Sequence, residues 1–66
     1  MRYGILGTGD VAHAIATKLI ELGHEVMMGA RSFTNEKAVS WAEANGERAY
    51  HGAFTDTARF GERVFN

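Results

Sequence analysis

Apolar residues along the chain follow two rhythms in turn. Arg2 to Leu6 is a short apolar-rich run that ends at Gly7 and predicts a strand. From Val11 the spacing changes. Val11, Ile15 and Leu19 stand four apart, as do Ala12, Ala16 and Ile20, while His13, Thr17, Lys18 and Glu21 take the other face. That is the period of a helix with a wide apolar stripe. Gly23 fits the position after its end, where a left-handed backbone stops a helix. Glu25 to Ala30 predicts a second strand, and its unbroken Val26-Met27-Met28 suits a sheet covered on both faces. Arg31-Ser32-Phe33-Thr34-Asn35 is a polar turn. Thr34 or Asn35 is placed to cap a second helix carrying Ala38, Val39, Trp41 and Ala42, which Asn45-Gly46 ends. Arg48 to Tyr50 is a weak third strand, Ala53 to Phe60 a short helix, and Glu62 to Asn66 the start of a fourth strand.

Strands alternating with helices imply βαβ units, and so a parallel sheet with right-handed crossovers. No repeat, linker or low-complexity tract interrupts them. The expected fold class is α/β, a doubly wound parallel sheet of which only the first three to four strands are present. At 66 residues the chain is one small domain of marginal stability. Two long helices leave at least one apolar sheet face uncovered. The expectation is therefore that residues 1–66 are the N-terminal portion of a larger α/β protein, a truncated chain lacking a C-terminal domain. The alternative is a mini-domain completed by self-association.

Composition removes whole classes of function. The chain has no cysteine, which excludes disulfides, thiolate nucleophiles and cysteine zinc sites. The spacings of His13, His24 and His51 match no zinc pattern. A net charge of −1 offers no bulk attraction for nucleic acid or an anionic membrane. No run approaches the ~20 apolar residues of a membrane span, and the N-terminus makes a poor signal peptide. The cytoplasm is the expected compartment. There is no P-loop and no nucleophile elbow.

Eight of the 66 residues are glycine, above the usual ~7%, and they are placed as punctuation. The first group carries chemistry. Gly7-Thr8-Gly9-Asp10-Val11-Ala12 fits G-x-G-x-x-G/A directly between a strand and a helix. Gly7 suits the tight turn, Gly9 lets a diphosphate approach the backbone, and Ala12 is small where helix passes strand. Free N–H groups at the helix start can hold the diphosphate. Asp10 is expected to point aside, capping the helix or favouring its dipole. The competing reading is a plain strand-to-helix turn.

The end of the second strand bears on the cofactor. NAD sites place an acid there to bind the ribose 2′-hydroxyl. Here the segment is Gly29-Ala30-Arg31-Ser32, and Glu25 lies too early. A guanidinium beside a hydroxyl suits a 2′-phosphate, since Arg offers a planar fork of donors. Thr8 can add a hydroxyl and Lys37 a charge. For Lys37 and Arg31 the alternative is a solvated surface position. Trp41, Phe54 and Phe60 are expected in the core or an interface.

Tyr3-Gly4-Ile5-Leu6-Gly7-Thr8-Gly9-Asp10-Val11, Leu22-Gly23-His24-Glu25-Val26 and Gly29-Ala30-Arg31-Ser32 resemble the N-terminus of coenzyme F-420 (deazaflavin)-dependent NADP oxidoreductases. Gly52-Ala53-Phe54 through Ala58-Arg59-Phe60-Gly61 resembles the same family's segment before its fourth strand. Pyrroline-5-carboxylate reductase-like proteins share the general pattern. The resemblance implies a Rossmann domain for NADP(H). By position, Thr8, Arg31 and Ser32 would hold the 2′-phosphate, with Gly7 and Gly9 at the diphosphate. Gly7, Thr8, Gly9, Asp10, Val11, Arg31, Ser32 and Lys37 are thus the candidate cofactor-binding residues. No catalytic or metal residue is assigned, and hydride transfer is not credited to these residues alone. The expected function is the NADP(H)-binding part of an oxidoreductase passing hydride between NADPH and a second substrate, with a deazaflavin as candidate. The alternatives are a non-catalytic dinucleotide-sensing module and a self-associating Rossmann fragment.

Overall fold

The computed structural model describes residues 1–66. In chain order it forms β1 (Arg2–Leu6), α1 (Asp10–Glu21), β2 (Glu25–Ala30), α2 (Glu36–Asn45), β3 (Ala49–Ala53), α3 (Phe54–Phe60) and β4 (Arg63–Phe65). All strand pairs are parallel, in the spatial order β3-β2-β1-β4. The first two crossovers step one way across the sheet and the third steps back past β1. Keeping every crossover right-handed then puts α1 and α2 on one face and α3 on the other. This is the incomplete doubly wound sheet expected.

Register decides what each face buries. Tyr3, Val26 and Ala49 form one row and Ile5, Met28 and His51 the next. Most of that face meets α1 and α2. The core there is Ile5, Val26, Met28 and Ala30 from the sheet against Ala16, Ala38, Trp41 and Ala42 from the helices. The opposite rows are Gly4, Met27 and Tyr50, then Leu6, Gly29 and Gly52. A Cβ on Gly4 would lie 2.6 Å from the Thr57 carbonyl oxygen, and one on Gly29 would enter the Thr57 side chain. A Cβ on Gly52 would come within 3.1 Å of Asp56. The three glycines form a bare strip of sheet on which α3 sits. Thr57 is fully buried there, and its hydroxyl donates to the Ala53 carbonyl at 2.9 Å.

The helix ends follow local chemistry. Gly23, at φ +90°, closes α1. Its N–H donates to the Ile20 carbonyl at 2.9 Å, and the His24 N–H reaches the Leu19 carbonyl at 3.1 Å, which is a Schellman ending. Asn35, not Thr34, caps α2, its Oδ1 accepting from the Lys37 and Ala38 N–H groups. Thr34 is engaged by the Ser32 hydroxyl instead.

Three expectations need correction. The third strand runs on to Ala53 because it pairs with β2 from Val26 to Ala30, so Gly52 lies inside it. Thr17 is not on a solvent face: its Oγ1 accepts from the Trp41 Nε1 at 3.1 Å, joining α1 to α2. The second sheet face is not left open, since α3 covers part of it. Tyr50 and Val64 on that face, and Phe54 on α3, remain exposed. Tyr50 lies against Phe60, and the Arg2 guanidinium sits 5.4 Å above the Phe60 ring.

Candidate functional site

The loop Gly7-Thr8-Gly9 leaves the C-terminal end of β1, which has β2 on one side and β4 on the other. Strand order reverses there, and such switch points open the crevice in which α/β sheets bind ligands. Gly7 has φ +138° and its N–H donates to the Gly29 carbonyl at 2.9 Å, which ties the loop to β2. A Cβ on Gly7 would contact the Ala12 Cβ at 3.9 Å. The turn needs Gly7 for its positive φ, since space alone would admit a Cβ there.

Gly9 is different. Its backbone is extended, φ −77° and ψ −177°, a conformation open to any residue. A Cβ there would meet nothing within 4 Å. Neither the fold nor its packing requires glycine at this position. Gly9 is the N-cap of α1 and supplies no side-chain cap. The first helical bond runs from the His13 N–H to the Gly9 carbonyl at 2.9 Å. The N–H groups of Asp10, Val11 and Ala12 are therefore left without acceptors, whereas those of α2 are served by Asn35. Donors, helix dipole and missing side chain converge on one open spot, a good match for an anion.

Two cavities meet at Gly9. One, of about 340 Å³, lies between α1 and the end of β4 and is lined by Leu6, Val11, Ile15 and Asn66 among others. Val11 is 74% exposed, so the first residue of the predicted core stripe borders this opening instead of the core. It lies in the first turn of α1, beyond the sheet end that buries Ala16. The other cavity, of about 430 Å³, lies between the first turns of α1 and α2. Thr8, Gly9, Asp10 and His13 line one side and Glu36, Lys37 and Ser40 the other, with no apolar residue among them.

The structure thus brings Thr8, Gly9, Asp10 and Lys37 to one cavity. Asp10 is the first residue of α1 and makes no cap; its charge favours the helix dipole. Arg31 and Ser32 follow β2 directly and are exposed, outside the cavity wall. Arg31 makes no ion pair. The Ser32 hydroxyl accepts from the Thr34 N–H at 3.2 Å and lies 2.9 Å from its hydroxyl, so it also shapes the turn. His51 holds that turn against β3, its Nδ1–H donating to the Phe33 carbonyl at 2.8 Å. His13, Glu36 and Ser40 escape the sequence reading. Their one signal is helical spacing, since His13 follows Asp10, and Ser40 follows Lys37, by a single turn.

The sheet order and the glycine turn at its switch point define an incomplete Rossmann-like α/β module. The chain matches the family described as NADP oxidoreductase coenzyme F420-dependent over residues 2–66, and it belongs to that family. It is also similar to the zeta-carotene desaturase of Synechocystis sp., with 40% identity over 53 residues. That match covers 79% of this chain and only 11% of the desaturase. No solved structure matches the chain. No helix is long and apolar enough to cross a membrane.

Proposed function

We propose that the chain binds NADP(H) and serves as the N-terminal portion of an oxidoreductase that passes hydride between NADPH and a second substrate, with a deazaflavin as the candidate acceptor. The observation that carries the reading is Gly9. It is a glycine that neither backbone geometry nor packing demands, at the uncapped start of a helix, between two cavities. A diphosphate accounts for it, because only a residue without a side chain lets the oxygens reach the free N–H groups of α1. Family membership favours the same ligand.

The chain's residues then divide the work. Gly7 sets the turn, and Gly9 with the first N–H groups of α1 holds the diphosphate. Val11 borders the cavity on the β4 side. Thr8 and Lys37 meet the 2′-phosphate in the polar cavity. Arg31 swings in from the end of β2, its guanidinium free of any ion pair, and Ser32 adds a hydroxyl. The bound dinucleotide supplies the hydride chemistry, while the protein supplies binding and orientation. Residues 1–66 form the opening part of a longer dinucleotide-binding domain in this reading.

Cofactor choice tests the proposal. Arg31 can form two parallel charge-assisted bonds to a 2′-phosphate. A hydrogen bond to a charged group is worth about 1.5–3 kcal/mol. Arg31→Ala is therefore expected to weaken NADPH roughly ten- to a hundredfold and leave NADH almost unchanged. The preference should shrink at high salt, since the contact is ionic and exposed. Calorimetric titration of both cofactors into parent and variant reads this directly. Equal affinity of the parent for the two, or an equal loss of both in Arg31→Ala, would reject Arg31 as the phosphate clamp.

A further inference from the structure

We propose that His51 is a positioning residue for cofactor choice: it fixes the turn that carries Arg31 and Ser32, and through that turn it sets the preference for a 2′-phosphate. The proposal rests on the reading above. It starts from how the turn is held. β2 ends at Ala30, which pairs with Ala53 of β3. Beyond it, Arg31, Ser32, Phe33 and Thr34 are all exposed. Phe33 is 63% exposed, so side-chain burial does little to anchor the segment. The bonds inside the turn are short in range: the Thr34 N–H donates to the Ser32 hydroxyl, and the Asn35 N–H to the Ser32 carbonyl. They shape the turn without fixing it against the sheet. The one side-chain hydrogen bond from residues 31–34 to another strand is that of His51, whose Nδ1 lies 2.8 Å from the Phe33 carbonyl oxygen.

Register places His51 for this. It pairs with Met28 in the β2–β3 ladder and is half-buried. A carbonyl only accepts, so Nδ1 carries a hydrogen whether the ring is neutral or charged. The tie therefore does not depend on the charge of the ring. Arg31 and Ser32 are the two residues left between fixed points, Ala30 in the ladder and Phe33 under His51. That confines the backbone from which the guanidinium reaches. No salt bridge orients the guanidinium itself.

The consequence is one of preorganisation. A loop that must be ordered on binding gives up part of the energy of its contacts. Without the tie, Arg31 and Ser32 become ordered only when the phosphate arrives, and NADPH loses affinity. NADH has no 2′-phosphate. Its diphosphate would meet the Gly9 loop and the start of α1, to which His51 is not bonded. A role in the fold alone would not separate the two nucleotides.

Calorimetric titration of NADPH and NADH into the protein, His51→Leu and His51→Asn tests the proposal. His51→Leu should weaken NADPH roughly two- to tenfold and leave NADH constant. Asparagine carries an N–H on the atom next to Cγ, where the imidazole carries Nδ1, so His51→Asn should recover most of the preference. In an Arg31→Ala background His51→Leu should have little further effect on NADPH, since the two act through one contact. Where His51→Leu loses helical circular dichroism, the parent decides: imidazole nitrogen resonances at about pH 8.5, where the ring is neutral, should report the Nδ1–H tautomer, and the Nε2–H tautomer overturns the tie. An equal loss of both nucleotides in His51→Leu, an undiminished preference there, or no recovery in His51→Asn overturns the role of His51 and leaves the cofactor assignment standing. A parent that binds NADPH no more tightly than NADH overturns both.

Discussion

Gly9→Val is expected to keep its fold and lose its dinucleotide. The backbone at Gly9 is extended and the space before it is empty, so valine fits without a clash. The cost to the fold is that of a poor N-cap, up to about 1 kcal/mol. The cost to binding is far larger. The branched side chain occupies the approach to the free N–H groups of Asp10, Val11 and Ala12. Losing two charge-assisted hydrogen bonds at about 1.5–3 kcal/mol each weakens binding by roughly a hundredfold or more. NADPH and NADH should suffer alike, because both carry the diphosphate. Circular dichroism of the variant beside fluorescence titration of NADPH separates the two costs. Undiminished binding would remove the loop from the phosphate site.

Gly4→Ala has the opposite signature, because the same residue type there serves packing. A Cβ on Gly4 would lie 2.6 Å from a backbone oxygen of α3 and 3.0 Å from the Thr57 Cγ2. A backbone atom cannot rotate away, so α3 must lift from the sheet. Overpacking of this kind costs typically 1–3 kcal/mol, a large share of the stability of so small a domain. One kcal/mol shifts the midpoint of a domain this size by about 4–8 °C. Thermal melts should therefore show Gly4→Ala lower by roughly 5–20 °C, with Gly9→Ala close to the parent. A parent-like melt for Gly4→Ala would mean that α3 does not rest on the glycine strip.

These two glycines mark the limit of what was legible in the chain. Local signals are plain in the sequence. The Val11-Ile15-Leu19 and Ala12-Ala16-Ile20 spacings predict α1, Gly23 its end, and Gly7-Thr8-Gly9 the loop. Strand–helix alternation gives the parallel sheet, and the right-handed rule puts α3 on the second face. Long-range pairing is what stays hidden. Gly4, Gly29 and Gly52 are far apart in the chain and read as punctuation. Only the register, Leu6 beside Gly29 beside Gly52, turns them into one surface. Thr57 is a buried threonine in a short polar helix, and no local pattern marks it. Thr17 and Val11 exchange their expected environments for similar reasons. Thr17 meets Trp41 across the α1–α2 contact, and Val11 projects past the end of the sheet into the crevice. At the site, the sequence reading names the loop, Lys37 and Arg31 but misses His13, Glu36 and Ser40. Their significance depends on two helix starts standing side by side.

The most direct test of the dinucleotide site is a titration of the isotopically labelled protein with NADPH, followed by backbone amide resonances. The largest shifts are expected at Gly9, Asp10, Val11 and Ala12, whose N–H groups would face the diphosphate. Smaller shifts should follow at Thr8, Arg31 and Lys37, and NADH should reproduce the first set without the second. Shifts centred instead on Asn45 to Arg48, at the opposite end of α2, or no saturable shift at all, would rule out the glycine loop as the dinucleotide site.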